Sequence, residues 1–330
     1  MASRPPWPYG SSPLLRTPLS ALLAVAENGS FSEAAARLGL AQSTLSYAVR
    51  QAEDALGVII FERGRHGARL TPAGQAVMVH ARHAALAVEA MQLTAHGQLS
   101  GTLRVAACRS ILKHVVTPAL RTFNARYPQV EVVVTDTRGE HEEVAHLVTS
   151  GAVHLGLGRL PMPAGLVTAP VVADEYLLVT AASAPPLRTW DDLHAGRYIV
   201  CEEDCAPYVA AHIARHSRPP HAAVRLSDPG VVLGLVAEGH GFTILSRLVV
   251  TPLPSGLRTE SLPTPLWRST GLVTTEAGVC HPLATAFQQF VLTPEAVRDQ
   301  VGSLARLLHF PEPLPAKAAP SSQPVASAPV

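Results

Sequence analysis

One short segment carries side chains of the types that hydrogen-bond to DNA. Residues 42–50, "QSTLSYAVR", follow a glycine-containing turn and alternate apolar with polar positions. The polar members are Gln42, Ser43, Thr44, Ser46, Tyr47 and Arg50. Amide, hydroxyl and guanidinium groups of this kind contact phosphates and base edges. The segment therefore indicates a surface that reads a duplex, and its alternative is the solvated face of an ordinary three-helix domain.

Apolar spacing predicts the helices that must position this segment. A first helix ends near Asn28-Gly29. Ser30 and Glu33 form the S-x-x-E pattern of a capping box, which predicts a second helix over 31–38. A third helix over 42–56 follows the turn at Gly39. The side chains expected inside are Phe31, Ala34, Ala35 and Leu38 from the second helix, and Leu45, Val49, Ala52 and Leu56 from the third.

A basic hairpin and a long helix follow. The stretch "VIIFERGRHGARLTPAG" predicts two short strands around a tight loop that carries Arg63, Arg65, His66 and Arg69. Thr71-Pro72 then supplies the cap and first-turn proline of another helix. Its apolar positions recur at a 3.5-residue period, at Val77, Ala81, Ala84, Val88, Met91 and Ala95, with a second row at Val79, Leu86 and Leu93. This stripe predicts self-association, and its alternative is packing onto the helix's own domain.

The C-terminal two-thirds alternates predicted strands and helices, which indicates an α/β fold with largely parallel sheets. Ligands in such folds bind beyond the carboxyl ends of strands. The residues expected there are Arg109, Ser110, Thr137, Arg138, Cys201, Asp228 and His240. Arg109 and Arg138 could clamp a carboxylate, and Ser110 lies near a helix N-terminus suited to an anion. A small organic anion is the expected ligand; a neutral ligand, with the arginines in surface ion pairs, is the alternative.

Three stretches together resemble the LysR-type transcriptional regulators. These are "AVAENGSFSEAAARLGLAQSTLS", "ALGVIIFERGRHGARLTPAG" and the α/β pattern downstream, so that the resemblance covers about residues 18–293. It implies that the third helix enters the major groove and that the hairpin is a wing. The implied DNA-contacting residues are Ser32, Gln42, Ser43, Thr44, Ser46, Tyr47, Arg50, Arg63, Arg65 and Arg69. Three departures are Ala41, where Ser or Thr commonly caps the helix, Ala52 in place of Leu, and His154 in place of Asp.

The expected fold class is an α+β multidomain chain. It combines an N-terminal winged helix-turn-helix, a long linker helix and an α/β effector domain of two Rossmann-like subdomains, as in periplasmic binding proteins. The predicted boundaries are a disordered extension over 1–17, the winged domain over 18–71, the linker over 72–98, the effector domain over 102–293, and a C-terminal helix with a Pro-rich disordered tail over 294–330. Subdomain I is expected at 102–167 and 268–293, and subdomain II at 168–267.

Four cysteines leave three hypotheses open. Cys201 and Cys205 with His212 and His216 have the residue types of a tetrahedral zinc site. Cys205 also resembles in position the reactive cysteine of the peroxide-sensing branch of the LysR family, although its acidic neighbours disfavour a thiolate. The third hypothesis is that all four, which include Cys108 and Cys280, are inert.

Composition and motif searches limit the other function classes. The chain has 330 residues, 47% of them hydrophobic, and a formal net charge of +1. It holds no uncharged apolar run long enough to span a bilayer, and we expect a cytoplasmic protein. Neither a P-loop, a nucleophile elbow nor a dinucleotide-binding motif occurs, so we expect no enzyme, no catalytic residue, no metal and no cofactor.

The expected partners are double-stranded promoter or operator DNA, a small-molecule effector, and further copies of the chain in a homodimer or homotetramer. RNA polymerase is a further expected partner, and no membrane is. Two other function classes remain as alternatives. One is a small-molecule binding module whose N-terminal block only dimerises. The other is a molybdate-type regulator, which the long α/β pattern disfavours because that class carries small β-barrels downstream.

Overall fold

The computed structural model describes residues 18–64, 67–202 and 205–311. The predictions for residues 1–17, Arg65, His66 and 312–330 lie outside these ranges. The N-terminal domain consists of α1 (Pro18–Asn28), α2 (Phe31–Leu38), α3 (Gln42–Leu56), β1 (Phe61–Gly64) and β2 (Gly67–Leu70), and the linker helix α4 spans Pro72–His96.

The predicted caps fix how α2 and α3 start and stop. The Ser30 hydroxyl accepts the backbone N–H of Glu33, and Gly39 ends α2 with a left-handed φ of 66°. Ala41 at the N-cap of α3 has the extended backbone of a cap but offers no side-chain acceptor, as expected. The predicted inner faces are confirmed except at Leu56, which is 54% exposed because α3 ends there, beyond the small core.

The wing is a two-stranded antiparallel hairpin, with Phe61 opposite Leu70 and Gly64 opposite Gly67. Strand β2 packs closely on the turn after α1, where the Ala68 N–H donates to the Gly29 carbonyl at 2.7 Å. Gly67 has a φ of 108°, and a Cβ atom there would collide with the same carbonyl. A glycine at this position therefore lets the wing lie against the three-helix core.

The apolar stripe of α4 serves two surfaces instead of one. Met78, Ala81 and Ala85 are buried in the core of the N-terminal domain, and Leu93 is buried in the core of the effector domain. Ala84, Met91 and Ala95 of the predicted stripe stay exposed. Part of the apolar surface of α4 therefore packs onto the chain's own domains, as the alternative prediction had it, because an amphipathic helix this long has room for two apolar rows at different angles. This packing does not contradict the predicted self-association.

The effector domain contains eight strands, β3 (Gly101–Cys108), β4 (Val130–Thr137), β5 (Leu155–Arg159), β6 (Val167–Ala181), β7 (Tyr198–Cys201), β8 (Ala222–Leu226), β9 (Thr243–Ser246) and β10 (Leu257–Thr274). Helix α5 starts as Arg109–Ile111, passes through a π-helical turn at Leu112–Val116 and ends as Thr117–Arg126. The other helices are α6 (Glu142–Thr149), α7 (Trp190–Ala195), α8 (Cys205–His216), α9 (Pro229–Ala237), α10 (Arg247–Val250), α11 (Glu276–Val279), α12 (Pro282–Val291) and α13 (Pro294–Val301).

Two long strands connect the halves of this domain. β6 and β10 pair antiparallel over nearly their whole lengths, and the resulting six-stranded sheet has the order β4-β3-β5-β10-β6-β9. β7 and β8 form a separate parallel pair, which one bridge between Tyr198 and Phe242 links to the β9 side. The sheet is mixed, whereas the sequence pattern predicted largely parallel strands. The cleft lies where β6 and β10 cross from one half to the other.

The C-terminal segment returns to these crossing strands. The backbone of His309 exchanges two hydrogen bonds with Ala173 of β6, and its ring stacks on Trp267 of β10 at 4.1 Å between centroids. Leu308 is buried in the core of the first half. The segment after α13 thus packs against the strands on which the cleft is built.

Candidate DNA-reading face and effector cleft

The third helix presents its polar row to solvent. Gln42, Ser43, Thr44, Tyr47 and Arg50 are exposed, and Ser46 is half-buried. Tyr47 is 64% exposed, and its hydroxyl accepts a hydrogen bond from Gln51 one turn later at 3.1 Å. Leu45 and Val49 anchor the opposite face with no exposure. The row stands on a packed helix with its hydrogen-bonding groups available, as a reading face requires.

The neighbouring residues extend this face. Ser32 is exposed at the start of α2, and Arg63 and Arg69 are exposed on the two strands of the wing. The Arg63 guanidinium lies over the Phe31 ring at 4.1 Å, which fixes the wing relative to the start of α2. Arg65, the third predicted wing arginine, lies outside the described residues.

The effector cleft opens between the two halves of the C-terminal domain, as a cavity of ≈ 210 Å³. Five of the seven predicted residues line it, namely Arg109, Ser110, Thr137, Arg138 and Asp228. Arg138 is exposed at the mouth. Arg109 is paired with Asp136 at 3.3 Å in an exposed ion pair, and Asp228 spends one carboxylate oxygen on capping α9. These residues therefore do not contribute equally to a ligand site.

Cys201 and His240 were predicted at this site wrongly. Cys201 ends β7, and strand alternation turns its side chain into the core beneath α9, where it is 4% exposed. His240 follows the C-terminal end of α9, whereas the N-terminal end of that helix, at Asp228 and Pro229, faces the cleft. The two ends of a nine-residue helix are about 13 Å apart, so His240 lies at the far end.

A buried ionic network forms the floor of the cleft. Arg268 of β10 donates to Asp174 at 2.6 Å, to Glu140, and to the Ser110 hydroxyl at 3.1 Å. Glu140 also accepts hydrogen bonds from Arg159 and from the Tyr176 hydroxyl, each at 2.9 Å. The two guanidinium groups balance the two carboxylates of Glu140 and Asp174, so the floor is formally neutral.

The network keeps its charges in spite of burial. Burial raises the pKa of the Glu140 carboxyl, but Arg268, the Tyr176 hydroxyl and Arg159 together bring that pKa below its usual value. For Arg268, burial lowers the pKa, and Asp174 and Glu140 more than reverse this, so that the pKa lies well above its usual value. Both partners are ionised at neutral pH, and the ion pair crosses from β10 to the loop after β4.

The zinc hypothesis fails on geometry. Cys205 is the first residue of α8 and is buried in one core with Tyr198, whereas Cys201 lies in a different core, beneath α9. The His212 ring bonds to the Thr264 carbonyl at 2.9 Å and packs against His216. The four side chains do not converge on one point. Cys205 instead lines the cleft, as does Cys108, whose thiol pKa burial raises.

A different group of ligating side chains gathers under α4. Among the described residues, Glu89, His154 and His281 are the one set of three whose ligand atoms lie within 4.8 Å of one another. However, the His154 Nδ1 atom accepts the Arg104 backbone N–H at 2.9 Å, which places the ring proton on Nε2. That Nε2–H points at the Glu89 carboxylate, 3.6 Å away, and has no lone pair for a metal.

Two family models account for nearly the whole described chain. The model for the bacterial regulatory helix-turn-helix protein of the lysR family matches residues 17–75, and the LysR substrate binding domain matches residues 96–294. The chain belongs to the LysR family. It is a LysR-type transcriptional regulator with a DNA-binding domain and an effector-binding domain, and its partners are DNA, a small-molecule effector and further copies of itself.

Relatives and solved structures agree with this assignment. The regulator is 33% identical over 278 residues to the probable HTH-type transcriptional regulator LrrA of Synechococcus elongatus, which covers 82% of this chain and 94% of LrrA. It is 30% identical over 250 residues to a probable hydrogen peroxide-inducible genes activator of Streptomyces viridosporus, which covers 70% and 77% of the two chains. A full-length OxyR variant from Pseudomonas aeruginosa shares its fold, with a TM-score of 0.71 at 20% identity over 90% of this chain and 98% of that one.

These relatives are transcriptional regulators and not enzymes. None of the regulator's helices in the described ranges is long and apolar enough to cross a membrane.

Several residues of the LysR regulator's cleft were missed by sequence reasoning. These are Cys108, Lys113, Glu140, Tyr176, Leu245, Ser246, Leu248 and Arg268. Arg268 carried a signal that was not used, because it is the one charge in the stretch "PLWRSTGLVT", and a charge that is buried among apolar residues needs a partner. Glu140 and Tyr176 carried none, since their role depends on which strands cross beside them.

Proposed function

We propose that this LysR-type regulator reads its operator with the exposed face of α3 and the wing, and that a small organic anion in the cleft modulates it. The observation that carries the effector class is the charge at the mouth of the cleft. Within the described residues Arg138 has no hydrogen-bond or ion-pair partner, and Lys113 donates only to the Thr251 carbonyl at 2.8 Å. The lining holds two carboxylates, and Glu140 is already paired with Arg159 and Arg268. Only Asp228 of the described lining is therefore set against these two cations, so they favour an anion.

Thermal shift measurements test the effector class. Short carboxylates should raise the unfolding temperature of the full chain, and their amides should not. Arg138→Gln should weaken that response, whereas Arg126→Gln, an exposed arginine at the end of α5 and outside the cleft lining, should leave it unchanged. If uncharged compounds stabilise the protein and carboxylates do not, the anion proposal is wrong.

DNA capture tests the reading face. Sequencing of fragments bound by the full chain should recover a palindromic intergenic site, because a symmetric dimer recognises a symmetric operator. Arg50→Ala should weaken binding to that duplex by about tenfold and lower its salt dependence, since one phosphate contact is lost. Arg126→Ala is the matched control. Unchanged affinity in Arg50→Ala would exclude α3 as the reader, and failure to recover any site would favour a binding module that only dimerises.

A thiol-based response is the second candidate, favoured by one observation. Cys205 begins α8 in the wall of the cleft, where an effector would also lie. Several relatives are named as hydrogen peroxide-inducible genes activators. Peroxide would add one oxygen atom to the Cys205 sulfur and release water. Intact mass before and after peroxide, with Cys205→Ser as control, decides between oxidation and an inert thiol that is 8% exposed.

A further inference from the structure

One hydroxyl group in the cleft has no hydrogen-bond partner among the residues that the structure describes. Ser246 is 1% exposed and lines the cavity, and its Oγ atom makes no hydrogen bond within the described residues. It occupies the N-cap position of α10 without using its side chain as a cap. A buried hydroxyl without a partner costs about 1–3 kcal/mol, so such a group calls for an explanation.

Strand pairing places Ser246 on the same face of the sheet as another residue of the cavity wall. Ser246 is the last residue of β9 and is paired directly with Tyr176 of β6. Directly opposed residues of antiparallel strands project to the same face, and the Tyr176 side chain also lines the cavity. Ser110 faces the same cavity from the other half of the domain, but its hydroxyl oxygen already accepts from Arg268 at 3.1 Å. The Ser110 hydroxyl is therefore already hydrogen-bonded within the protein, whereas the Ser246 hydroxyl remains available to a ligand.

The charge of the floor decides which part of a ligand can reach Ser246. Arg268 is paired with Glu140 and Asp174 and donates to Ser110, and Arg159 is paired with Glu140. A carboxylate placed on the floor would meet the Glu140 carboxylate with no free cation to compensate it. The anionic end of a ligand therefore belongs at the mouth, with Arg138 and Lys113. The end that reaches the floor must be polar and uncharged.

We propose that Ser246 is a specificity-determining residue of the effector cleft, and that the effector is a small carboxylic acid with a second polar group that is uncharged, such as a hydroxyl or a carbonyl. Ser246 hydrogen-bonds to that group on the floor, while the carboxylate stays at the mouth. This inference rests on the proposed anion function and refines it. A ligand held in this way touches both halves of the domain, with Arg138 on one side and Ser246 on the other.

Stability without ligand separates this role from a structural one. Ser246→Ala removes an unpartnered hydroxyl and should raise the unfolding temperature of the full chain by about 2 to 4 °C. Thr243→Val is the matched control, because its hydroxyl is also buried and unpartnered but lies outside the cavity lining, and it should give a similar rise. Ser110→Ala should instead lower the temperature, since Arg268 loses an acceptor. A lower temperature for Ser246→Ala would show that its hydroxyl is structural and would overturn the proposal.

Binding by matched probes completes the test. The full chain and the Ser246→Ala and Thr243→Val variants are titrated calorimetrically with lactate and propionate, with gamma-hydroxybutyrate and butyrate, and with butanediol. In the wild type and in Thr243→Val, a hydroxy acid should bind about tenfold more tightly than its parent acid, and Ser246→Ala should abolish that preference. Equal affinities of the paired acids in the wild type, or a preference that survives Ser246→Ala, would overturn the proposal.

The outcome also separates this inference from the function beneath it. If parent acids and hydroxy acids bind equally well, the anion function stands and the role of Ser246 falls. If butanediol binds, the acids do not, and Ser246→Ala weakens the diol, the role of Ser246 stands and the anion function falls. If none of these probes binds the wild type, both are overturned.

Discussion

The reading face and the effector cleft use polar side chains in opposite ways. On α3, Gln42, Tyr47 and Arg50 stand in solvent on a helix whose other side is packed. In the cleft, Arg268 and Glu140 are buried and spend their hydrogen bonds on each other and on neighbouring side chains. The polar groups on α3 are exposed to an outside partner, whereas Arg268 and Glu140 on the floor of the cleft are already hydrogen-bonded within the protein.

The difference reflects the partner each surface meets. DNA is a large polyanion, so a reading face gains from many exposed donors, each weak in itself. A small effector must be distinguished from its analogues by few contacts, and under the proposal above one unpartnered hydroxyl on a neutral floor supplies this discrimination. Substitution of the exposed groups should therefore change the free energy of unfolding little and weaken binding strongly. Substitution of the buried groups should lower the free energy of unfolding more than it weakens binding.

Removal of the central cation of the floor should have the largest effect. Arg268→Met leaves Glu140 and Asp174 buried together without their shared partner and should cost about 3–5 kcal/mol of unfolding free energy. Arg109→Met is the control, because it breaks an exposed ion pair and should cost less than about 1 kcal/mol. Chemical denaturation of the full chain measures both. If both variants lose a similar amount of unfolding free energy, the ion pairs of the floor do not stabilise the protein more than the exposed pair does.

The second-largest effect should be a loss of unfolding free energy at low pH, which arises from the buried histidines beneath the linker helix. Burial, with His154 and Arg104, lowers the pKa of His281 to about 4, although Glu89 opposes the shift. The unfolded chain takes up a proton near pH 6.5 and the folded chain only near pH 4, so stability is lost as pH falls through this interval, by at most about 3 kcal/mol for this group. The pKa of His154 is lowered too, and acts in the same direction. Glu89, whose pKa is raised, gains its proton more readily when folded and acts in the opposite direction.

His281→Asn should therefore flatten the decline in unfolding free energy between about pH 7 and pH 5. The exposed His80 on the same helix as Glu89 supplies the control, and His80→Asn should keep the wild-type decline. If the pH dependence of the unfolding free energy is unchanged in His281→Asn, His281 is not kept neutral by folding.

The smallest effect should come from the caps of the reading domain. Ala41→Ser places an acceptor at an N-cap whose φ of −68° and ψ of 143° already suit one, and should stabilise the domain by about 1 kcal/mol. Ser30→Ala removes the cap of α2 and should destabilise it by a similar amount. Unfolding temperatures of the two variants should move in opposite directions. A decrease with Ala41→Ser would show that the space before α3 cannot hold a hydroxyl.

The N-terminal domain and the linker helix were easier to predict than the effector domain, because their structure depends on residues that are close together in the sequence. Helix bounds, the Ser30 and Thr71 caps and the inward positions Leu45 and Val49 all follow from spacing along a single helix. The prediction for Leu56 was wrong, and the division of the apolar residues of α4 between two cores was not predicted. Periodicity indicates which positions share a face but not which neighbour covers it. Helix spacing therefore predicted which side chains share a face, but it did not predict which part of the protein packs against that face.

In the effector domain the sequence alone determined the alternation of strands and helices, the family, and the residues that end strands β3 and β4 near the cleft. Tertiary structure decided the rest. Arg268 and Glu140 are 128 positions apart, and only the crossing of β6 and β10 brings them together. The pairing of β9 with β6 sets Ser246 beside Tyr176, and the alternation of side chains along β7 turns Cys201 into the core. Side chains that meet through long-range strand pairing leave no periodic signal in the chain, because their contact depends on register and not on spacing.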